Sequence, residues 1–191
     1  MKLRRVARII SVVFDPVIVL GLIGAWIGWS AFKGGYPMVD LAIMGVIDGV
    51  LPILVYAIFM RQKHWRDWEI HKREQRLPIY VAVVGCQALG VIVAAGLNLH
   101  PLTEWLMCFW LLVAVFAVVT LFWKISVHTG ALATLVTLLT LDRGGGWSWL
   151  WLLVLLVGWA RVVDRDHTWA QVVVGALVPW GLISVVLSNG G

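Results

Sequence analysis

Thr103-Glu104-Trp105-Leu106-Met107-Cys108-Phe109-Trp110-Leu111-Leu112-Val113-Ala114-Val115-Phe116-Ala117-Val118-Val119-Thr120-Leu121-Phe122-Trp123 leads directly into Lys124-Ile125-Ser126-Val127-His128. After Glu104 the run carries no charged side chain until Lys124. Its length matches the roughly 20 apolar residues that an α-helix needs to cross a hydrocarbon core of ~30 Å. Comparable apolar stretches of about 17–22 residues recur along the chain. None alternates with the period of two that an outer-membrane barrel requires. The fold class is therefore all-α, an integral membrane helical bundle of six to seven transmembrane helices.

Composition agrees with that reading. Of the 191 residues 61% are hydrophobic and only 13% charged, with a mean hydropathy of +0.92, which excludes an ordinary soluble domain. The chain reads as one membrane-embedded domain over 1–191, without a linker, a low-complexity tract or a repeat. The basic start Met1-Lys2-Leu3-Arg4-Arg5 resembles a signal peptide, but Trp26, Trp29 and Phe32 stand where small cleavage-site residues belong. The first helix is expected to be retained. Cys86 and Cys108 fall at different depths of separate helices, so no disulfide is expected.

Segment 1–14 is expected to hold an interfacial helix from Leu3 to Phe14, with Arg4, Arg5 and Arg8 on its polar side. Asp15-Pro16 breaks it, and a membrane helix follows from Pro16 to Phe32. After a turn at Lys33–Pro37, further helices are expected at Val39–Met60, Pro78–Leu97, Thr103–Trp123, His128–Leu141, Trp147–Val163 and Thr168–Leu187. Residues 61–77 form a basic segment, expected to be cytoplasmic, and Asp142–Gly146 a loop. With seven crossings and the N-terminus inside, all Lys and Arg except Lys33 and Arg143 face the cytoplasm, 13 of the 15, as the positive-inside rule requires. Most of the 13 Trp lie near helix ends, where interfacial belts form.

Segments 61–77, 124–128 and 161–171 are each separated by two crossings, so all three emerge on one face whatever the orientation. That parity brings Lys63, Arg66, Lys72, Arg73, Arg76, Lys124, His128, Arg161 and His167 to the same side. If 61–77 is helical, Arg66, Arg73 and Arg76 share a face, within about 80° of one another. Guanidinium groups bind phosphate oxygens through paired donors and stabilise the charge of phosphoryl transfer. The competing reading of each part is a solvated basic loop, or a histidine hydrogen-bonded at an interface. Asp48, mid-helix, is either a functional carboxylate or a hydrogen-bonded acid at a helix contact.

These residues resemble the type 2 phosphatidic acid phosphatase family, membrane lipid phosphatases related to vanadium haloperoxidases. The family's motifs are K-x6-R-P, P-S-G-H and S-R-x5-H-x3-D. Arg161 and His167 keep the third spacing, Ser126 and His128 keep half of the second, and the run to Arg76-Leu77-Pro78 is a loosened first. Gln171 stands where the family has Asp, Ala160 where it has Ser, and Val127 where it has Gly.

The resemblance implies that His167 attacks phosphorus to form a phosphohistidine and that His128 protonates the leaving oxygen. Arg161, Arg66, Arg73, Arg76, Lys124 and Ser126 would bind the phosphate. The family uses no metal and no cofactor. Gln171 lies one helical turn after His167 and can orient it, and Asp164 is spaced to reach either His167 or Arg161. The implied substrate is a lipid or isoprenoid phosphate or diphosphate met at a cytoplasmic face of the cell membrane. No feature points to a nucleic-acid partner or to an oligomeric state. A phosphotransferase on the same scaffold and a catalytically impaired lipid-phosphate-binding protein remain as alternatives. Haem ligation by the two histidines fits less well, because both sit at helix ends beside cations. Prenyl transfer lacks the paired D-x-x-x-D clusters it needs.

Overall fold

In the computed structural model residues 2–33, 37–62, 73–100 and 102–189 are described. The turn residues 34–36 and the basic residues 63–72, with Lys63, Arg66 and Lys72, lie outside them, as does the side chain of Arg73. Helices α1 (Lys2–Val13), α2 (Pro16–Lys33), α3 (Met38–Met44), α4 (Leu51–Gln62), α5 (Arg73–Gly96), α6 (Leu102–Phe122), α7 (Val127–Arg143), α8 (Trp151–Val163) and α9 (Trp169–Asn189) follow in order. A π-helical turn, Gly45–Val50, joins α3 to α4, and a 3₁₀ turn, Gly145–Leu150, leads into α8. Among the described residues, six helices are long and apolar enough to cross a bilayer. Their outer faces carry large apolar side chains such as Phe122 (78% exposed) and Leu155 (65%), which only a lipid environment accepts in such number. The chain is an integral membrane protein.

Two compact units make up the chain. The first joins residues 1–23 to 124–191. At its centre is α7, with ten buried residues from His128 to Leu138. At 17 residues it is not among the six spanning candidates. A helix surrounded by protein tolerates the polarity that lipid would reject. Its threonines hide their hydroxyls on the preceding turn, Thr134 on the Gly130 carbonyl (2.9 Å) and Thr137 on that of Ala133 (2.7 Å), so they pack as small apolar groups.

Small residues set the helix spacing in this unit. A Cβ on Gly175 would stand 2.7 Å from the Ser126 carbonyl oxygen and 2.6 Å from Thr129 Oγ1, and one on Gly158 2.4 Å from a Val172 methyl. Close approach of α7, α8 and α9 therefore needs glycine at both positions. Against α8 packs α1, with Ala7 and Ser11, one turn apart, fully buried. The expected loop at Asp142–Gly146 is shorter than its composition implies. Asp142 and Arg143 stay helical, the 3₁₀ turn starts at Gly145, and Gly144 alone reverses the chain at φ 87°.

The second unit spans residues 24–123. Here α5 and α6 form a hairpin through a tight turn with Asn98 at φ 53°, a conformation that Asn tolerates better than most residues. The start of α5 lies before Pro78, because Arg73, Glu74, Gln75 and Arg76 are good helix formers and extend it backwards. The span expected at Val39–Met60 is continuous but widened. Pro52 has no N–H, and its ring crowds the carbonyl four residues earlier, that of Asp48. The chain answers with a π turn, in which Leu51 N–H reaches the Val46 carbonyl. Ile47 then packs onto Gly90, where a Cβ would stand 2.6 Å from it, and Gln87 donates to the Asp48 carboxylate.

Gly175→Ala should lower the unfolding temperature in detergent, losing about 1–3 kcal/mol, since the backbone carbonyl of Ser126 cannot give way. Gly181→Ala, whose Cβ would meet nothing within 4 Å, should leave it unchanged or slightly raised. Equal melting of the two variants would refute this account of the α7–α9 contact.

Candidate functional site

Residues 164–168 form the link between α8 and α9, and local chemistry shapes it. Asp164 caps α8. Arg165 N–H donates to the Val162 carbonyl (3.0 Å) and Asp166 N–H to that of Arg161 (3.1 Å). These are the two bonds of a Schellman motif. Its turning residue normally is glycine, but here Arg165 holds φ 66°, at a cost of roughly 1–2 kcal/mol for a residue with a Cβ. Thr168 then starts α9. Gln171 N–H reaches Thr168 Oγ1 (3.4 Å), and Thr168 N–H donates to Gln171 Oε1 (3.1 Å). This reciprocal pair is a capping box.

The same Gln171 oxygen lies 3.2 Å from His167 Nδ1. Because Thr168 N–H points at that atom, it must be the amide oxygen. An amide oxygen only accepts, so this contact places a proton on Nδ1, and in the neutral imidazole the lone pair is then on Nε2. The imidazole itself is buried, at 6% exposure.

Arg161 is the largest fully buried side chain in this region, at 1% exposure. Its Nη2 meets Asp166 Oδ2 at 2.9 Å, and its carbonyl also accepts His167 N–H (3.3 Å). Lys124, just before α7, donates through Nζ to the Asp166 carbonyl (2.7 Å). Asp166 is thus held at its N–H, its C=O and its carboxylate.

The second histidine arrives through the α7–α9 contact. Ser126 N–H donates to the Gln171 carbonyl (3.4 Å), and Thr129 Oγ1 lies 3.2 Å from the Val172 carbonyl. The two helices therefore run parallel with their N-termini side by side. His128 and His167 are brought to one end of this unit, where two positive helix ends favour an anion. Ser126 occupies the capping position of α7 without making a side-chain cap bond. Its Oγ is buried with no hydrogen-bond partner among the described residues. An open pocket of about 550 Å³ at this end is lined by Lys124, Arg165, Asp166, His167, Thr168 and Gln171, among others.

Of the residues singled out from sequence, Lys124, Ser126, His128, Arg161, His167 and Gln171 gather here. Asp164 departs from its expected place. Its carboxylate meets Arg8 Nη2 of α1 at 3.5 Å. The carboxylate on Arg161 belongs to Asp166 instead. Arg76 is placed near the start of α5 in the second unit, and Arg66 and the side chain of Arg73 lie outside the described residues. Sequence reasoning missed Asp166, Arg165 and Thr168. The T-x-x-Q pattern from Thr168 to Gln171 was a readable capping signal, whereas Arg165 at a turn position bears no sequence mark.

Among the described residues no group of three or more His, Cys, Asp or Glu gathers to hold a metal ion, and Cys86 and Cys108 are free thiols. No family model, curated protein or solved structure matches the chain.

Arg165→Gly should remove the strain of the left-handed turn and raise the unfolding temperature, by about 1 kcal/mol of stability. Thr168→Ala should lower it by a similar ~1 kcal/mol. Thermal unfolding in detergent distinguishes these opposite signs, and a stabilising Thr168→Ala would contradict the capping assignment.

Proposed function

We propose that this protein is an integral-membrane phosphatase that hydrolyses a lipid or isoprenoid phosphate or diphosphate through a phosphohistidine. The observation that carries the reading is the contact of His167 Nδ1 with Gln171 Oε1. With its Nδ1 proton held by Gln171 Oε1, Nε2 presents the lone pair that a nucleophile needs. In the first step Nε2 bonds to phosphorus and the bond to the leaving oxygen breaks. His128, protonated, gives its proton to that oxygen. In the second step His128 takes a proton from water, the resulting hydroxide attacks phosphorus, and the P–N bond breaks.

Arg161, Lys124 and the Ser126 hydroxyl are the phosphate donors of this scheme. Gln171 carries no charge. It supports the imidazolium of the attacking state less than a carboxylate would, so turnover is slow for this kind of chemistry. Protein groups alone supply nucleophile, acid and charge stabilisation here, so the scheme needs neither metal nor cofactor. The spread of cations favours a cytoplasmic mouth in the cell membrane, reached by substrates of the inner leaflet.

Phosphate release from a panel of lipid and isoprenoid phosphates and diphosphates tests the reading. His167→Ala should lower release by at least about a thousandfold and Gln171→Ala by roughly 10–100-fold. Asp164→Ala, which removes only a partner of the exposed Arg8, should stay within about twofold of wild type. Release unaffected by His167→Ala would eliminate the phosphohistidine. Transfer of phosphate to an added alcohol in preference to water would make the protein a phosphotransferase. Binding without turnover would make it a lipid-phosphate-binding protein.

A further inference from the structure

Arg161 poses a problem that the phosphatase scheme does not solve. A guanidinium at 1% exposure left without counter-charge is strongly destabilising, so it needs an anion beside it. That anion is the Asp166 carboxylate, at 2.9 Å from Nη2. Asp166 is also placed at the entrance. It lines the open pocket together with His167, Lys124 and Arg165, whereas Arg161 does not line it. From the pocket, Arg161 is covered.

We propose that Asp166 is the resident occupant of the phosphate position on Arg161, and that a phosphate group takes the guanidinium by displacing this carboxylate. The inference rests on the reading of the site as a phosphate site. The exchange needs no unfolding. Asp166 is anchored through its backbone, N–H to the Arg161 carbonyl at 3.1 Å and C=O from Lys124 Nζ at 2.7 Å, so its side chain turns while the chain stays in place. The carboxylate is already 14% exposed and has the open pocket beside it. A phosphate dianion carries more charge to Arg161 than the carboxylate it replaces, and it meets Lys124 and Arg165 on the way in. Asp166 thereby sets a threshold. Weakly charged anions fail to displace it, and dianionic phosphate succeeds.

The test uses inorganic phosphate as the probe and thermal unfolding of the purified protein in detergent as the readout, at fixed pH and ionic strength. Wild type is compared with Asp166→Asn and Asp166→Ser, both purified in phosphate and then exchanged out of it. Removing an occupant present most of the time should tighten apparent phosphate affinity roughly tenfold. Both variants should therefore melt lower than wild type without phosphate and be restored by it at lower concentrations. Adding Arg161→Gln to Asp166→Asn should abolish that gain, which a merely structural role for Asp166 would not predict.

Equal or weaker phosphate response in both variants would overturn the proposal, as would failure of both to fold even in phosphate. Absence of any phosphate response in wild type and variants would overturn it too. Tighter phosphate binding with no lipid turnover by wild type would keep the displaceable carboxylate and remove the phosphatase. Intact turnover with no gain in Asp166→Asn would do the reverse.

Discussion

A guanidinium withdrawn from water at a membrane boundary constrains everything around it. Arg161 is anchored by its backbone in the last turn of α8, and its side chain is closed in on all sides. Such a group is costly unless its charge is met and its donors are used. The chain meets it with Asp166, five residues on, and that pairing dictates the shape of the link. The chain must double back within one turn, through a left-handed residue, to bring a carboxylate to the arginine it has just left. The Schellman bonds and the ion pair therefore reinforce one another. His167 follows immediately, and its position is a consequence of that return.

The link between α8 and α9 shows how the same atoms serve fold and site. Gln171 Oε1 accepts from Thr168 N–H, at the start of α9, and lies against His167 Nδ1. A capping box is ordinarily a device for ending a helix neatly. Here it also aims an imidazole. The rigidity a site requires comes from the first turn of a helix, where backbone donors would otherwise be unmet. Parallel packing of α7 on α9 adds the second histidine and a second positive helix end, and it depends on Gly175 having no side chain.

In the other unit, a polar pair is held inside an apolar hairpin by a different route. Pro52 disturbs the hydrogen-bond ladder of its helix, the helix widens into a π turn, and Asp48 is presented to Gln87 of α5. Gly90, one turn along α5 from Gln87, lets Ile47 approach closely enough for that contact. Asp48 was legible in sequence as an unusual carboxylate within an apolar span. Its partner, thirty-nine residues distant, was not, because nothing in either local pattern encodes which faces of two helices meet.

The sequence by itself determined the membrane environment, the helical class and nearly every helix. Bilayer thickness and the absence of water for backbone groups leave few solutions for runs this long and apolar. It also marked Arg161, His167 and Gln171 as a group, polar residues in a run set between two strongly apolar stretches. Only the tertiary structure decided which carboxylate answers Arg161. Asp164 and Asp166 are two residues apart and alike in chemistry, and a single left-handed residue between them turns one toward Arg8 and the other toward Arg161. It also decided how closely α7 and α9 approach, because Gly175 leaves room for the Ser126 carbonyl and Thr129 against α9. Local patterns record what each stretch prefers. Charge neutralisation and close packing are settled only where the stretches meet.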